Sequence, residues 1–397
     1  MGLLRTSLLR PLAATVLVAT TGVLPGFLTG ALGVSIREDL GFGESGLGLA
    51  IGLSFLAAAL CSVLFGRTVE RLGSVRSMRA SSAASAISML AIAVFASSFA
   101  SLTALLVVSG MANAMTQPAT NLYIARAVPL HRHGIAFAIK QSAIPGATLL
   151  GGLAVPTIAL TVGWRWAYVG GAALALVGGA LAVDVGNTAP LAGRTSGRRD
   201  QPLQTLVVLG AGVGFGALAA ASLGAFSISA LDEAGISEGS AGLLASVGSM
   251  LVVTVRLWLG AWSDRTARSH VPVVGAMVLV GALGWAVMGI MTPVALVAGG
   301  LLAYGFGWGW PGLFNLAIAR ANPSAPAAAS GVTQTGTYLG VAVGPFVFGV
   351  LAEHVSYSAA WNVAAASAVL AAACIAVGDR MSPAPQRATV QRHERNN

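Results

Sequence analysis

The feature that most constrains this chain is a series of twelve apolar runs, each about as long as a lipid bilayer is thick. A hydrocarbon core of about 30 Å requires about 20 helical residues, because each residue rises about 1.5 Å. The fold class predicted is therefore an all-α membrane protein with twelve transmembrane helices. The runs predict helices at 11–34, 45–66, 77–97, 101–125, 134–160, 164–184, 204–230, 241–262, 271–292, 294–320, 327–351 and 357–378.

The balance of residue types indicates that lipid covers much of the surface. Of the 397 residues, 56% are hydrophobic and only 9% are charged, whereas soluble proteins carry about 25% charged residues. The 51 glycines suit membrane helices, which pack closely through small residues. The first run, Leu12–Leu32, is longer than a typical signal-peptide core. We interpret it as an uncleaved first span.

The net charge of +9 is distributed along the chain in a way that predicts how the protein is oriented in the membrane. The basic residues lie in short loops and are not interleaved with aromatic residues, so no nucleic-acid partner is expected. With the amino terminus inside, only Arg37 and Arg165 fall on the outer side. Loops rich in arginine remain in the cytoplasm. The charges therefore predict a multi-pass protein of the cell membrane with both termini cytoplasmic, and the compact length favours a bacterial source.

The second half of the chain repeats the first at an offset of 194 residues. Three separate regions share this register; they pair 38–44 with 232–238, 66–71 with 260–265, and 121–129 with 315–323. Six spans separate equivalent points, so the two halves have the same orientation. We predict a six-helix bundle at 1–186, a cytoplasmic linker at 187–203, a second six-helix bundle at 204–378 and a cytoplasmic tail at 379–397.

A short motif follows the second predicted span and recurs after the eighth. The first copy begins at Gly66 and ends at Arg76, and the second copy runs from Gly260 to Arg265. The two copies resemble the signature of the major facilitator superfamily (MFS), although glutamate replaces the usual aspartate at position 70 and Ser74 replaces an arginine. The resemblance covers nearly the whole chain.

This resemblance implies the MFS fold of two pseudo-symmetric bundles and transport by alternating access. It also implies a motif whose charges help to latch the cytoplasmic side in the outward-facing state. The alternative is ordinary loop charges that only orient the protein. The residues to which we assign the gating role are Gly66, Glu70, Arg71, Gly73, Arg76, Gly260, Asp264 and Arg265.

Two basic residues within predicted spans are candidates for a substrate site. Lys140 is the only lysine among 22 basic residues and lies in the fifth span. Arg256 lies in the eighth span, four residues before Gly260, which is similar to the arginine that contacts substrate carboxylate in organic-anion members of the superfamily. A guanidinium binds a carboxylate through two hydrogen bonds, and an ammonium acts as a point charge. Snorkelling to the cytoplasmic interface is the alternative for both.

Neutral polar residues in the spans complete the predicted site. Asn113, Gln117 and Asn121 recur every four residues and form one stripe on the fourth helix. Helix packing is an equally good explanation for any of these side chains. The neutral residues that we predict to bind substrate are Asn113, Gln117, Gln141, Trp308, Gln334 and Tyr338.

No Asp or Glu lies at the centre of a predicted span, and a cation-binding pocket normally needs one. We therefore predict a secondary transporter for a small organic or inorganic anion. A multidrug or metabolite exporter is the alternative within the same superfamily. A membrane solute sensor or a lipid-acting enzyme is the alternative from another class, but no cluster of catalytic groups favours an enzyme. We expect a monomer without a cofactor, whose partners are a small solute, membrane lipid and an optional coupling proton or counter-ion.

Overall fold

The computed structural model describes residues 3–128, 133–183, 200–263, 269–322 and 326–382. It leaves out the side chains of residues 3–8, 63, 67, 70, 125, 133–135, 138 and 326–328. The described chain is helical with short connections, and it contains no strand. The predicted all-α fold class is confirmed. The predicted linker and tail lie mostly outside the described residues.

The helices follow the predicted apolar runs. Those of the first half are α1 (Leu3–Ala31), α2 (Gly33–Leu40), α3 (Glu44–Leu72), α4 (Ser74–Phe95), α5 (Phe99–Ala127), α6 (His133–Gln141), α7 (Ala143–Ala154), α8 (Leu160–Val162) and α9 (Arg165–Leu181). Those of the second half are α10 (Leu203–Glu233), α11 (Glu238–Ser263), α12 (Val271–Met288), α13 (Pro293–Leu302), α14 (Pro311–Ala321), α15 (Pro326–His354) and α16 (Tyr357–Met381). The last helix continues three residues into the predicted tail.

Two spans that the sequence predicts as continuous helices contain a π-helical segment in the structure. Ten described segments are long and apolar enough to cross a membrane, and α9 is a shorter apolar helix. The fifth span changes to π-helix at Val155–Ala159, and the tenth does so at Ala303–Gly307. Pro156 removes a backbone donor at the first interruption, and Gly305 and Gly307 relax the backbone at the second. Such π segments occur frequently at functional sites.

The internal repeat reappears in the backbone at the end of the first span of each half. Gly41 follows α2 with φ +68°, and Gly235 follows α10 with φ +85°. These two glycines are separated by the repeat offset of 194 residues. Both adopt the left-handed conformation that favours glycine, so the same turn leads into α3 and α11.

The two halves pack most closely at one face of the molecule, which we call the closed face. Added methyl groups on Gly48 and Gly52 of α3 would overlap the backbone oxygens of Pro345 and Ala342 in α15. The pairs α7–α11 and α1–α10 approach similarly at Gly152 and Gly30. All these contacts lie in the helix halves that end at the loops containing Gly41, Gly163, Gly235 and Val355. Glycine backbones allow the helices of opposite halves to touch there.

The opposite face carries both described chain ends, and we call it the terminal face. Among the hydrogen bonds described there, three join parts of the same half. Arg79 Nη2 donates to Ala182 O at 2.9 Å, and Tyr123 Oη donates to Val183 O at 3.1 Å. Arg320 Nη1 donates to Ser263 O at 3.2 Å within the second half. The described contacts that close one half against the other are therefore concentrated at the closed face.

Candidate functional site

The site begins with Lys140, in the last turn of α6 just before the helix breaks at Ser142. The residue is 4% exposed. Its Nζ donates to Gln117 Oε1 at 2.6 Å and to Asn121 Oδ1 at 2.7 Å, both on α5. These acceptors stand one turn apart on the predicted polar stripe, so a single ammonium bridges them. Both partners are neutral amides.

Arg256 of α11 lies in the other half and meets the same region. It is 6% exposed. Its Nη1 donates to the backbone oxygen of Gln141 at 2.6 Å, and its Nη2 donates to the backbone oxygen of Trp308 at 2.8 Å. The Nε atom is buried without a hydrogen-bond partner. Gln141 directly follows Lys140, so the two cations are joined through adjacent residues across the two halves.

Both cations remain inside the protein, so neither side chain snorkels to the interface. Among the described residues, neither is paired with a carboxylate; the ion pairs found there are Arg37–Glu44 and Arg165–Asp39. Transfer of an unpaired ion into a low-dielectric interior costs several kcal/mol. Amide oxygens reduce that cost but carry no compensating charge. The arrangement therefore presents two positive charges that an anion would neutralise.

Aromatic rings lie next to Arg256 on the side of the closed face. Trp308, which follows the π segment of the tenth span, stacks on Phe27 of α1 with a centroid distance of 5.8 Å. Phe27 also makes an edge contact with Phe55 of α3 at 6.1 Å. Tyr304 lies 5.9 Å from Trp308, and its hydroxyl is 2.9 Å from that of Ser227. This aromatic cluster packs the two halves together on the closed-face side of Lys140 and Arg256.

Sequence reasoning missed Phe27 and Phe55, because phenylalanine in an apolar span gives no signal that distinguishes a site from packing. The structure adds how two predicted residues meet Arg256, and their role in binding substrate stays a prediction. Gln141 and Trp308 contact Arg256 through backbone oxygens rather than through their side chains. The break after Gln141 and the π segment before Trp308 present those oxygens to the guanidinium.

The other predicted substrate residues are placed less centrally. Asn113 is 8% exposed, and its Oδ1 is buried without a partner. Gln334 and Tyr338 stand one turn apart on α15, and their side chains interact with each other. No described contact joins these two side chains to Lys140 or Arg256. Their role in binding stays a prediction.

The predicted gating motif lies at the terminal face. Gly73 separates α3 from α4 with φ +83°, and Arg71 and Arg76 on either side are exposed. Gly66 and Gly260 lie in open surroundings near the ends of α3 and α11. The Glu70 side chain and the residues Asp264 and Arg265 fall outside the described residues. The latch between the two copies therefore stays a prediction.

Polar side chains link the two halves at the closed face, a pairing that was not predicted from the sequence. Ser35 Oγ donates to Glu238 Oε1 at 2.8 Å. The backbone N–H and the hydroxyl of Ser45 donate to Glu353 Oε2 at 2.7 and 2.6 Å. The Tyr357 hydroxyl donates to Glu44, which also pairs with Arg37 at 2.7 Å.

Asp39 belongs to the same face but pairs within the first half. It accepts hydrogen bonds from Arg165 Nη1 at 2.7 Å and from Trp164 Nε1 at 3.1 Å. The hydrogen bond from Arg165 is the main reason that the pKa of Asp39 is lowered. The segment Gly163–Trp166, which we interpret as an interfacial anchor, is thus fixed to α2 while Trp166 stays 58% exposed.

A cavity of about 490 Å³ lies elsewhere, between α12 and α16. It is lined by Leu279, Leu283, Ala286, Ala365, Val369 and other apolar residues. No charged or hydrogen-bonding side chain faces it, so it offers nothing that would hold an anion. We take it as a groove of the lipid-facing surface.

Comparisons with known proteins agree on the architecture. A family model described as Major Facilitator Superfamily matches residues 13–335 and 208–395. A bacterial homologue of the human lysosomal transporter Spinster, solved in an inward-facing and occupied conformation, superposes with a TM-score of 0.74 at 16% identity, covering 94% of this chain and 98% of that chain. A D-xylose–proton symporter superposes with a TM-score of 0.72 at 15% identity over 94% and 97%. No curated protein sequence matches significantly.

Proposed function

The chain belongs to the Major Facilitator Superfamily, a family of secondary transporters, and we propose that it carries a small organic or inorganic anion. The observation that carries this proposal is the pair of buried cations, Lys140 and Arg256, which no described carboxylate neutralises. Bound anion would offset the cost of burying them. The guanidinium would orient a carboxylate, and the ammonium would supply a second point charge.

The position of the two residues also supports a transport role. Arg256 belongs to the second half and contacts Gln141 of the first half, so the site lies where the halves meet. In transporters built from two repeats, the substrate site lies at the repeat interface, and one bundle rocks against the other around it. A ligand held between Lys140 and Arg256 would therefore be in contact with both moving parts.

The distribution of acidic residues favours an anionic substrate over the cationic drug that a multidrug exporter would carry. In the described spans, the carboxylates lie at helix ends, at positions such as Glu44, Glu238 and Asp379. A cationic drug would need a carboxylate near the site. The arginine-rich terminal face is proposed to be cytoplasmic. The state described here is then closed to the outside, and the gating motif would engage only in the opposite state.

Uptake into proteoliposomes tests the proposal. Purified protein would be assayed with radiolabelled monocarboxylates, dicarboxylates, phosphate and sulfate, and with a cationic dye under an imposed pH gradient. We expect saturable uptake of at least one anion and its loss in Lys140→Ala and Arg256→Ala, whereas Arg79→Ala retains it. Anion transport that is unchanged in both site variants would refute the site. Transport of the dye alone would favour the exporter alternative.

A further inference from the structure

The closed face brings acidic residues of the two halves together. Apart from the Asp39–Arg165 pair, the titratable and charged residues described at this face include six carboxylates, Arg37, and His354, which acts on Glu353. Glu38 and Glu44 come from the first half. Asp232, Glu233, Glu238 and Glu353 come from the second half. We call these six carboxylates and Arg37 the acidic junction.

Members of the junction interact electrostatically across the interface between the halves. Glu38 acts on Asp232 and Glu238, and Glu44 is acted on by Glu233 and Glu353. The single charge of Arg37 is shared among Glu44, Asp232 and Glu353. Closing the halves therefore moves like charges towards each other and takes Glu44 out of water. Both changes favour the uncharged form of a carboxyl group.

Glu44 is the most buried member of the junction. It is 7% exposed. Its Oε1 serves both Arg37 and the Tyr357 hydroxyl, whereas its Oε2 is buried without a partner. The groups that face it are Arg37 of α2, Glu233 of α10, Glu353 of α15 and Tyr357 of α16. Tyr357 and the two carboxylates come from the opposite half.

The internal repeat supports this choice. The offset of 194 residues relates Ser35 to Ser229 and Glu238 to Glu44. Ser35 donates to Glu238. At the equivalent place, Glu44 Oε2 is buried without a partner, and Ser229 faces the Tyr357 hydroxyl. The fold thus repeats the residues of the pair, but Glu44 does not receive the serine hydrogen bond that Glu238 receives.

We propose that Glu44 binds a proton when the halves close at this face. The proton removes one negative charge from the junction, while the carbonyl oxygen of the neutral carboxyl still accepts the Tyr357 hydrogen bond. Arg37 keeps its interactions with Asp232 and Glu353. Acid on the side of the closed face therefore favours the closed state. The site is separate from Lys140 and Arg256 and does not depend on the identity of the solute.

Distance measurements between spin labels test this site without a substrate. The two free cysteines, Cys61 and Cys374, are replaced by alanine. Labels are then attached at Val162→Cys and Val355→Cys, which are 62% and 68% exposed and lie at the closed face in opposite halves. The full chain is reconstituted in nanodiscs and measured between pH 5.5 and pH 8.

We expect the ratio of closed to open molecules to rise as the pH falls, by up to about tenfold per pH unit, the limit for one proton. Glu44→Gln should hold a constant, mostly closed ratio, whereas Glu44→Asp should keep the response. Asp39→Asn is the matched control, because its carboxylate pairs within one half, and it should respond like the parent. A parent ratio that does not change with pH, or a full response in Glu44→Gln, overturns the proposal.

Discussion

Replacement of Lys140 by methionine separates a binding role from a structural one. Methionine is unbranched and flexible like lysine, so it fills the same space without the charge. The change removes the hydrogen bonds from Nζ to Gln117 and Asn121 and the positive charge offered to the anion. Gln117 and Asn121 are left to bond elsewhere, and Asn121 is already exposed.

The expected loss of affinity follows from one charged hydrogen bond. Such a bond contributes about 1.5–3 kcal/mol, and each factor of ten in affinity corresponds to about 1.36 kcal/mol. The Kd for the transported anion should therefore rise by roughly 10- to 150-fold. The stability of the ligand-free protein should not fall, because the variant removes a buried charge that has no described carboxylate partner.

Thermal unfolding with and without anion measures both quantities at once. At an anion concentration of about 100 times Kd, binding stabilises the parent by about 2.7 kcal/mol. If Kd rises about 100-fold, the same concentration stabilises the variant by only about 0.4 kcal/mol. Arg79→Met, which removes a positive charge at the terminal face, should bind like the parent. A lowered Tm with unchanged affinity would refute the binding role.

Three further predictions concern other parts of the structure. Arg256→Lys keeps the charge but replaces the two-nitrogen guanidinium that donates to Gln141 and Trp308 by a single ammonium. The loss of one charged hydrogen bond, about 1.5–3 kcal/mol, should lower anion affinity at least about tenfold. Unchanged affinity in a binding assay would contradict a role for the guanidinium geometry. Gly48→Ala introduces a methyl group against the backbone of Pro345. Overpacking of about 1–3 kcal/mol should raise the ratio of open to closed molecules, read from the spin-label distances, by roughly 5- to 150-fold. Gly110→Ala, which crowds Ser54 within one half, should leave that ratio unchanged. The Asp39–Arg165 pair stabilises the fold at pH values above about 3.9, the pKa of Asp39 in the unfolded chain. This stabilisation is lost as the pH falls through the lowered pKa of Asp39 in the folded protein. The difference in Tm between Asp39→Asn and the parent should therefore stay constant from pH 5.5 to pH 8 and shrink only in stronger acid.

Much of the architecture was predictable because a bilayer imposes length and polarity on each span. Twelve apolar runs, with arginine concentrated in the loops on one side, predict a helical membrane protein without reference to any tertiary contact. The 194-residue offset predicts two similar halves, and the matched turns at Gly41 and Gly235 agree with it. The interruptions at Val155–Ala159 and Ala303–Gly307 were not predictable, since apolar periodicity does not distinguish α-helix from π-helix.

The candidate site was predictable only in part. Lys140 and Arg256 are conspicuous because a charge within a span is costly, and their types and positions can be read from the sequence alone. Whether such long side chains reach the interface or turn inwards depends on neighbouring helices. Only the fold supplies Gln117 and Asn121 as acceptors for one cation and two backbone oxygens for the other.

The sequence by itself determined which segments lie in lipid, that the chain is duplicated, and which two cations would be costly to bury. The tertiary structure decided what those cations contact and which face is closed. It also decided that the carboxylates of the two halves meet at one junction. The physical reason is that burial and span length are properties of a segment, whereas hydrogen bonding and charge repulsion depend on distances between segments that are far apart in the chain.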